Sequence, residues 1–196
     1  MGLEGKSLGD KELVAYAQAG DRDAFQALVL RHQSKILNLC YRLLGNPDEA
    51  KEAAADVFAD AFGSLSKFRR ESKFGTWLYR IAMNLCFTRL RKITESRARF
   101  IPNDPTGEEG AAPTLQIPSQ AANPLEMLAQ GETKHQIQIV LSKLSKDHAQ
   151  ILILHDIENL SYVEISEVID CPPGTVMSRL ARAREAFRKK WNQFSL

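Results

Sequence analysis

Between Ser66 and Arg80 the chain interleaves cations with aromatic rings: Lys67, Phe68, Arg69, Arg70, Lys73, Phe74, Trp77, Tyr79 and Arg80. Cations neutralise phosphates, and π-faces stack on unpaired bases. Single-stranded nucleic acid needs both. Phe68 and the polar loop around it are the candidates for contact, whereas Phe74 and Trp77 serve equally well as core residues of the helix that follows. An extruded base also needs hydrogen-bonding partners; Ser72, Lys73 and Asn84 are the candidates to supply them.

A second constellation lies near the C-terminus. Ser161-Tyr162-Val163-Glu164 has the spacing of a capping box, in which the Ser hydroxyl takes the N3 amide and the Glu reaches back to the cap amide. The helix it opens is expected to bury Val163, Ile165, Val168 and Ile169. Asp170-Cys171-Pro172 then makes a turn. Pro173-Gly174 precede a helix with an apolar stripe of Val176, Leu180, Ala183, Phe187 and Trp191. Its other face presents Thr175, Ser178, Arg179 and Arg182, with Arg184, Arg188 and Lys189 further along. Short helix, tight turn and basic amphipathic helix make a helix-turn-helix. The start of its second helix can enter the major groove, where Arg is suited to guanine O6 and N7.

Other chemistry is missing from the sequence. His32, His135, His148 and His155 are scattered, with no Ser-His-Asp, paired-carboxylate or metal-ligand spacing and no Gly-rich phosphate loop. We therefore expect no enzyme, no metal and no cofactor. Cys40, Cys86 and Cys171 form no framework and read as small hydrophobes. No apolar run approaches a membrane span, and Met1 to Asp10 lacks the features of a signal peptide, so a cytoplasmic protein without membrane insertion is expected. The net charge of +2 is unevenly spread. Residues 64–100 hold ten Lys/Arg against two acids, and residues 173–196 hold six against one. Residues 101–132 hold five acids and no Lys or Arg. Two basic islands around an acidic bridge suit two contacts with one polyanion.

The elements that must carry these residues are all helical, because apolar positions recur every three or four residues. One helix is expected from an Asp10 cap to Gly20. A second follows from Asp21 to Gly45, and a third from Asn46-Pro47, burying Ala50, Ala54, Val57, Phe58, Ala61 and Phe62. A fourth spans about Phe74 to Lys92. Pro102, Pro105, Pro113 and Pro118 with Gly107 and Gly110 mark an extended linker. Asn123-Pro124 restarts a helix, and Ser145 caps another. The expectation is an all-α chain of two small helical domains, 1–98 and 123–196, joined by an acidic linker over 99–122.

On these motifs the chain resembles the extracytoplasmic-function sigma factors of the bacterial sigma-70 family. The likeness is carried by Asp21-Arg22-Asp23-Ala24-Phe25, by the run from Phe68 to Asn84, by Leu160 to Ile165, and by Gly174 to Arg184. The resemblance implies a promoter-specificity subunit of RNA polymerase. Its minus-ten contacts would come from Phe68, Arg69, Arg70, Ser72, Lys73, Phe74, Thr76, Trp77, Arg80 and Asn84. Its minus-thirty-five contacts would come from Ser161, Tyr162, Thr175, Met177, Ser178, Arg179 and Arg182. Asp48, Glu52, Asp56, Val57 and Phe58 would dock on core RNA polymerase, and the linker would run toward the active-centre cleft. Implied partners are core polymerase, promoter DNA in duplex and melted form, and an anti-sigma factor. Ala53, Ala54 and Ala55 stand where the family carries larger residues and a Gln, and Met177 where it often has Lys or Arg. The competing reading is a stand-alone helix-turn-helix regulator, which leaves the aromatic-basic segment unused.

Overall fold

The structure, a computed structural model, describes residues 8–100 and 126–193. The linker expected over 99–122 and the helix start at Asn123-Pro124 lie almost wholly outside those residues. Among the described residues every regular element is helical.

Caps written in the sequence set most boundaries. α1 (Asp10–Gln18) begins one residue earlier than expected, because Gly9 is the cap and its N–H donates to the Glu12 carboxylate at 2.9 Å. α2 (Arg22–Leu44) is capped by Asp21, whose carboxylate accepts the Ala24 amide at 3.1 Å. It stops at Gly45, which takes φ 73°, a left-handed conformation that a Cβ would strain. α3 (Pro47–Ser64) has Asn46 accepting the Asp48 and Glu49 amides, with Pro47 preset for the first turn. A 3-10 turn over Leu65–Lys67 leads to the irregular loop before α4 (Phe74–Phe100), which continues past the expected end at Lys92.

α2, α3 and α4 pack against one another, and α1 lies across α2. Their core is built from Leu28, Ile36, Leu39, Val57 and Leu78. α3 contributes mainly small side chains, with Ala50, Ala53, Ala54 and Ala61 buried. Small contact residues let helix axes approach closely, so Ala53 and Ala54 are packing residues and only Ala55 of that trio faces solvent. Phe62 corrects its expected place. It is 53% exposed and sits at the edge of the core, its ring 5.0 Å from Phe25 in an edge-on contact.

The second half comprises α5 (Glu126–Ser142), α6 (Lys146–Leu152), a π-helical turn over Ile153–Ile157, α7 (Tyr162–Ile169) and α8 (Pro173–Asn192). Its core includes Val140, Leu141, Ile151, Leu154, Ile165, Val176 and Leu180. Burying one such leucine contributes about 1.5–3 kcal/mol. Val163, expected inside, is 59% exposed, because the narrow buried stripe of α7 is filled by Ile165 and Val168. Cys40 and Cys86 are buried and Cys171 half-buried, all as free thiols.

The two halves touch. α4 packs on α7, and one apolar cluster runs through both. The Tyr79 hydroxyl donates to the Glu158 carboxylate at 2.7 Å, Lys73 pairs with Glu164 at 2.9 Å, and the Gln138 side-chain amide donates to the Arg42 carbonyl at 2.7 Å.

Candidate nucleic-acid interface

The loop between the 3-10 turn and α4 walls a hollow of about 350 Å³. Ser72 and Lys73 line it together with Phe68, Arg70 and Phe74. Its opposite wall is α1, through Asp10, Lys11 and Val14. Asn84 is not there. Ten residues beyond Phe74 on a helix rising 1.5 Å per residue is about 15 Å away, and Asn84 instead borders a separate hollow with Asp56, Asp60, Ser64 and Arg89.

Packing decides which ring is available. Phe68 is only 8% exposed: it stacks on Trp77 at 4.7 Å and meets Phe74 edge-on at 6.0 Å. Phe68, the candidate for contact, thus borders the hollow as part of a three-ring cluster and not as a free ring. Thr76 is likewise buried, whereas Lys73 and Arg80 are exposed. His32 of α2 lies against Phe74. Its ring sits edge-on to Phe74 at 5.5 Å, and a Cβ on Gly75 would lie 3.3 Å from it, so Gly75 is the residue that lets α4 start so close to α2. Asp10 holds His32 at 2.7 Å and also takes the Arg31 guanidinium. Burial raises the Asp10 pKa, but those two bonds outweigh it and keep the carboxyl below its usual range.

In the second half the capping box forms as spaced. Ser161 Oγ accepts the Glu164 amide at 3.3 Å, and the Ser161 amide donates to Glu164 Oε2 at 2.9 Å. The turn rests on Asp170, at φ 52° and ψ 58°, a left-handed position that Asp tolerates better than most residues. With Val176 and Leu180 buried, the exposed side of α8 carries Met177, Ser178 and Arg182, flanked by the partly covered Thr175 and Arg179. Ser161 and Tyr162 are exposed at the start of α7. Arg184 is engaged elsewhere: it binds Asp156 through two nitrogens, and Asp156 also holds His155 at 2.7 Å. The Arg184 bond, ahead of that from His155, keeps the Asp156 pKa below normal. The π-helical turn is the element that presents Asp156 to Arg184.

Two family models match the chain, Sigma-70 region 2 over residues 28–96 and Sigma-70 region 4 over residues 134–187. The sequence is 36% identical over 180 residues to the ECF RNA polymerase sigma factor SigW of Bacillus subtilis, covering 92% of this chain and 95% of that protein. It is 39% identical over 188 residues to the RNA polymerase sigma-H factor of Pseudomonas aeruginosa, covering 92% of each. The chain belongs to the extracytoplasmic-function sigma factors. The ECF sigma-E factor of Escherichia coli K12 is 33% identical over 94% of this chain. In fold it resembles CnrH, solved with the cytosolic domain of CnrY, at a TM-score of 0.65 with 23% identity, covering 94% of this chain and 97% of that one.

In this sigma factor the helix-turn-helix falls within the region 4 match and the aromatic-basic loop within the region 2 match. The α1 wall of the hollow lies outside both matches. Of the residues expected to dock on core polymerase, Asp48, Glu52 and Asp56 are exposed along α3 and Phe58 is half-buried. Val57 is fully buried and supports that face from beneath, which corrects its expected role as a contact. Arg89 of α4 reaches across to Glu49 at 3.3 Å, Glu52 at 3.6 Å and Asp56. That hub carried no local sequence signal, since its partners lie 33 to 40 residues away. Among the described residues no helix is long and apolar enough to cross a membrane.

Proposed function

We propose that this sigma factor brings core RNA polymerase to promoters through two separate DNA contacts. The hollow between α1 and the region 2 loop takes an unpaired base of the minus-ten element, with Ser72, Lys73 and Arg70 around it and Arg69 and Arg80 on phosphates. The exposed start of α8, with Thr175, Ser178, Arg179 and Arg182, reads the minus-thirty-five duplex. Asp48, Glu52, Asp56 and Phe58 of α3 dock on the polymerase. The reading is supported above all by a hollow of about 350 Å³ beside the aromatic-basic loop and a helix-turn-helix in the same chain. A stand-alone operator binder needs only the second.

The protein works in the cytoplasm and catalyses nothing itself; catalysis stays with the polymerase. An anti-sigma partner is part of this proposal, because the structural neighbour RpoE of Bartonella quintana was solved with the anti-sigma factor NepR. The test is reconstituted transcription. Purified protein with core polymerase should initiate at specific start sites, and neither should do so alone. Specific duplex binding without polymerase-dependent initiation would sink the proposal.

A further inference from the structure

One side-chain amide holds the region 2 loop in place. Gln18, the last residue of α1, donates from Nε2 to the Leu65 carbonyl at 2.9 Å and to the Phe68 carbonyl at 2.8 Å. Its Oε1 accepts Arg70 Nε at 3.0 Å and Arg70 Nη2 at 2.6 Å. An amide has two donor hydrogens and two acceptor lone pairs, and all four are spent on this loop. The orientation is fixed by chemistry, because two carbonyl oxygens require donors and a guanidinium requires an acceptor.

What Gln18 grips is a short turn and the irregular loop that follows it. Leu65 and Phe68 bracket the 3-10 turn, whose closing bond is Phe68 N–H to Leu65 O at 3.1 Å. Arg70 takes φ 60°, a left-handed conformation that a non-glycine residue holds only when its surroundings impose it. The next residues, Ser72 and Lys73, line the hollow, and the Lys73 carbonyl accepts the Trp77 amide at 3.1 Å as α4 begins. The loop is thus tied to α4 at one end and to α1 at the other, and Gln18 is the α1 tie.

We propose that Gln18 is a positioning residue for promoter opening: through Leu65, Phe68 and Arg70 it sets the loop that receives the unpaired base. The inference rests on the base-capture reading above. Gln18 touches no DNA, so it should not alter minus-thirty-five binding or α8. Nor is it generic packing, because an isosteric side chain without hydrogen bonds should not replace it.

The test uses holoenzyme reconstituted with full-length protein, a duplex promoter carrying a fluorescent base analogue in the minus-ten element, and the same promoter with that element already unpaired. Gln18→Met should slow opening of the duplex promoter about tenfold, equivalent to about 1.4 kcal/mol of barrier. Affinity for a minus-thirty-five duplex should be unchanged, the thermal midpoint should fall modestly with the lost hydrogen bonds, and rate should return on the unpaired template. Arg70→Ala should slow opening by the same route, and the double variant should be no slower than the worse single one. Gln18→Glu sets a carboxylate against two carbonyls and should not rescue. If Gln18→Met lowers opening and duplex affinity together, or if the unpaired template does not restore the rate, the residue is merely structural and the proposal is overturned. If Ser72→Ala slows opening but Gln18→Met does not, base capture stands and Gln18 has no part in it. If neither slows opening, base capture itself fails and this inference with it.

Discussion

In region 4 the start of α8 is set by neighbours in sequence. Ser161 and Glu164 cap α7, Asp170 turns the chain, and Pro173 starts α8, all within thirteen residues. In region 2 the loop beside the hollow is fixed from far away, by Gln18 at sequence separations of 47, 50 and 52 and by His32 beneath Phe74. The first arrangement is set locally at its cap and turn, although α7 also packs on α4. The second is a surface assembled from three helices, and its shape depends on their packing. The difference suits the proposed tasks, since reading a regular groove needs a rigid rod and receiving a displaced base needs a shaped recess.

The comparison can be broken most severely through the core of region 4. Leu180→Ala removes a fully buried side chain, and such truncations cost about 2–5 kcal/mol. Urea unfolding should show the loss, and minus-thirty-five binding should fall with it. Intact duplex binding in this variant would mean that α8 is not the reader.

Arg182→Ala sharpens the comparison without disturbing the fold. Its exposed side chain should contribute about 1–3 kcal/mol of preference for matched over scrambled minus-thirty-five duplex. Lys189→Ala should weaken both duplexes alike and make the salt dependence shallower. Anisotropy titrations at several salt concentrations separate the two. Identical behaviour of both variants on both duplexes would remove α8 from the reading role.

Ser161→Ala tests whether region 4 is held locally. Losing the cap should cost about 1 kcal/mol of stability, with no change in opening of a promoter bound through region 2. The smallest expected effect is Asp170→Gly. Relieving a left-handed Asp should stabilise by at most about 1 kcal/mol, seen as a raised thermal midpoint. A lowered midpoint would show that the Asp side chain matters to the turn beyond its backbone angle.

Much of this was legible in the sequence where the cause is local. Asn46-Pro47, Ser145 and the Ser161–Glu164 box each bond a backbone amide two or three residues away, and each appeared where the spacing put it. The apolar stripe of α8 was right because a buried face repeats every turn. Phe62 and Val163 were misplaced because periodicity gives the direction of a side chain and not the width of the interface it meets. Asp10, Lys11 and Gln18 were missed as members of the region 2 site. They sit about fifty to sixty residues before the loop, in a polar helix with no motif, and only tertiary packing brings them there. Asn84 was grouped with Ser72 and Lys73 although a helix separates them.

Glu164 belongs to two structures at once. One oxygen, Oε2, closes the capping box on Ser161, and the other, Oε1, holds Lys73 of the opposite half. Lys73, and after it the Ser161 amide, draws its pKa down to about 2. A carboxyl depressed in this way contributes stability above its ordinary value near 4.5 and loses it only as pH falls from there toward 2. Across the neutral range no proton can reach it, so acidity is no key to this contact. A polyanion is, because phosphates compete directly for the Lys73 ammonium and dissolved salt screens what remains. By linkage, whatever favours the contact between the halves would weaken any hold of Lys73 on a nucleic acid, and a bound polyanion would in turn weaken the contact.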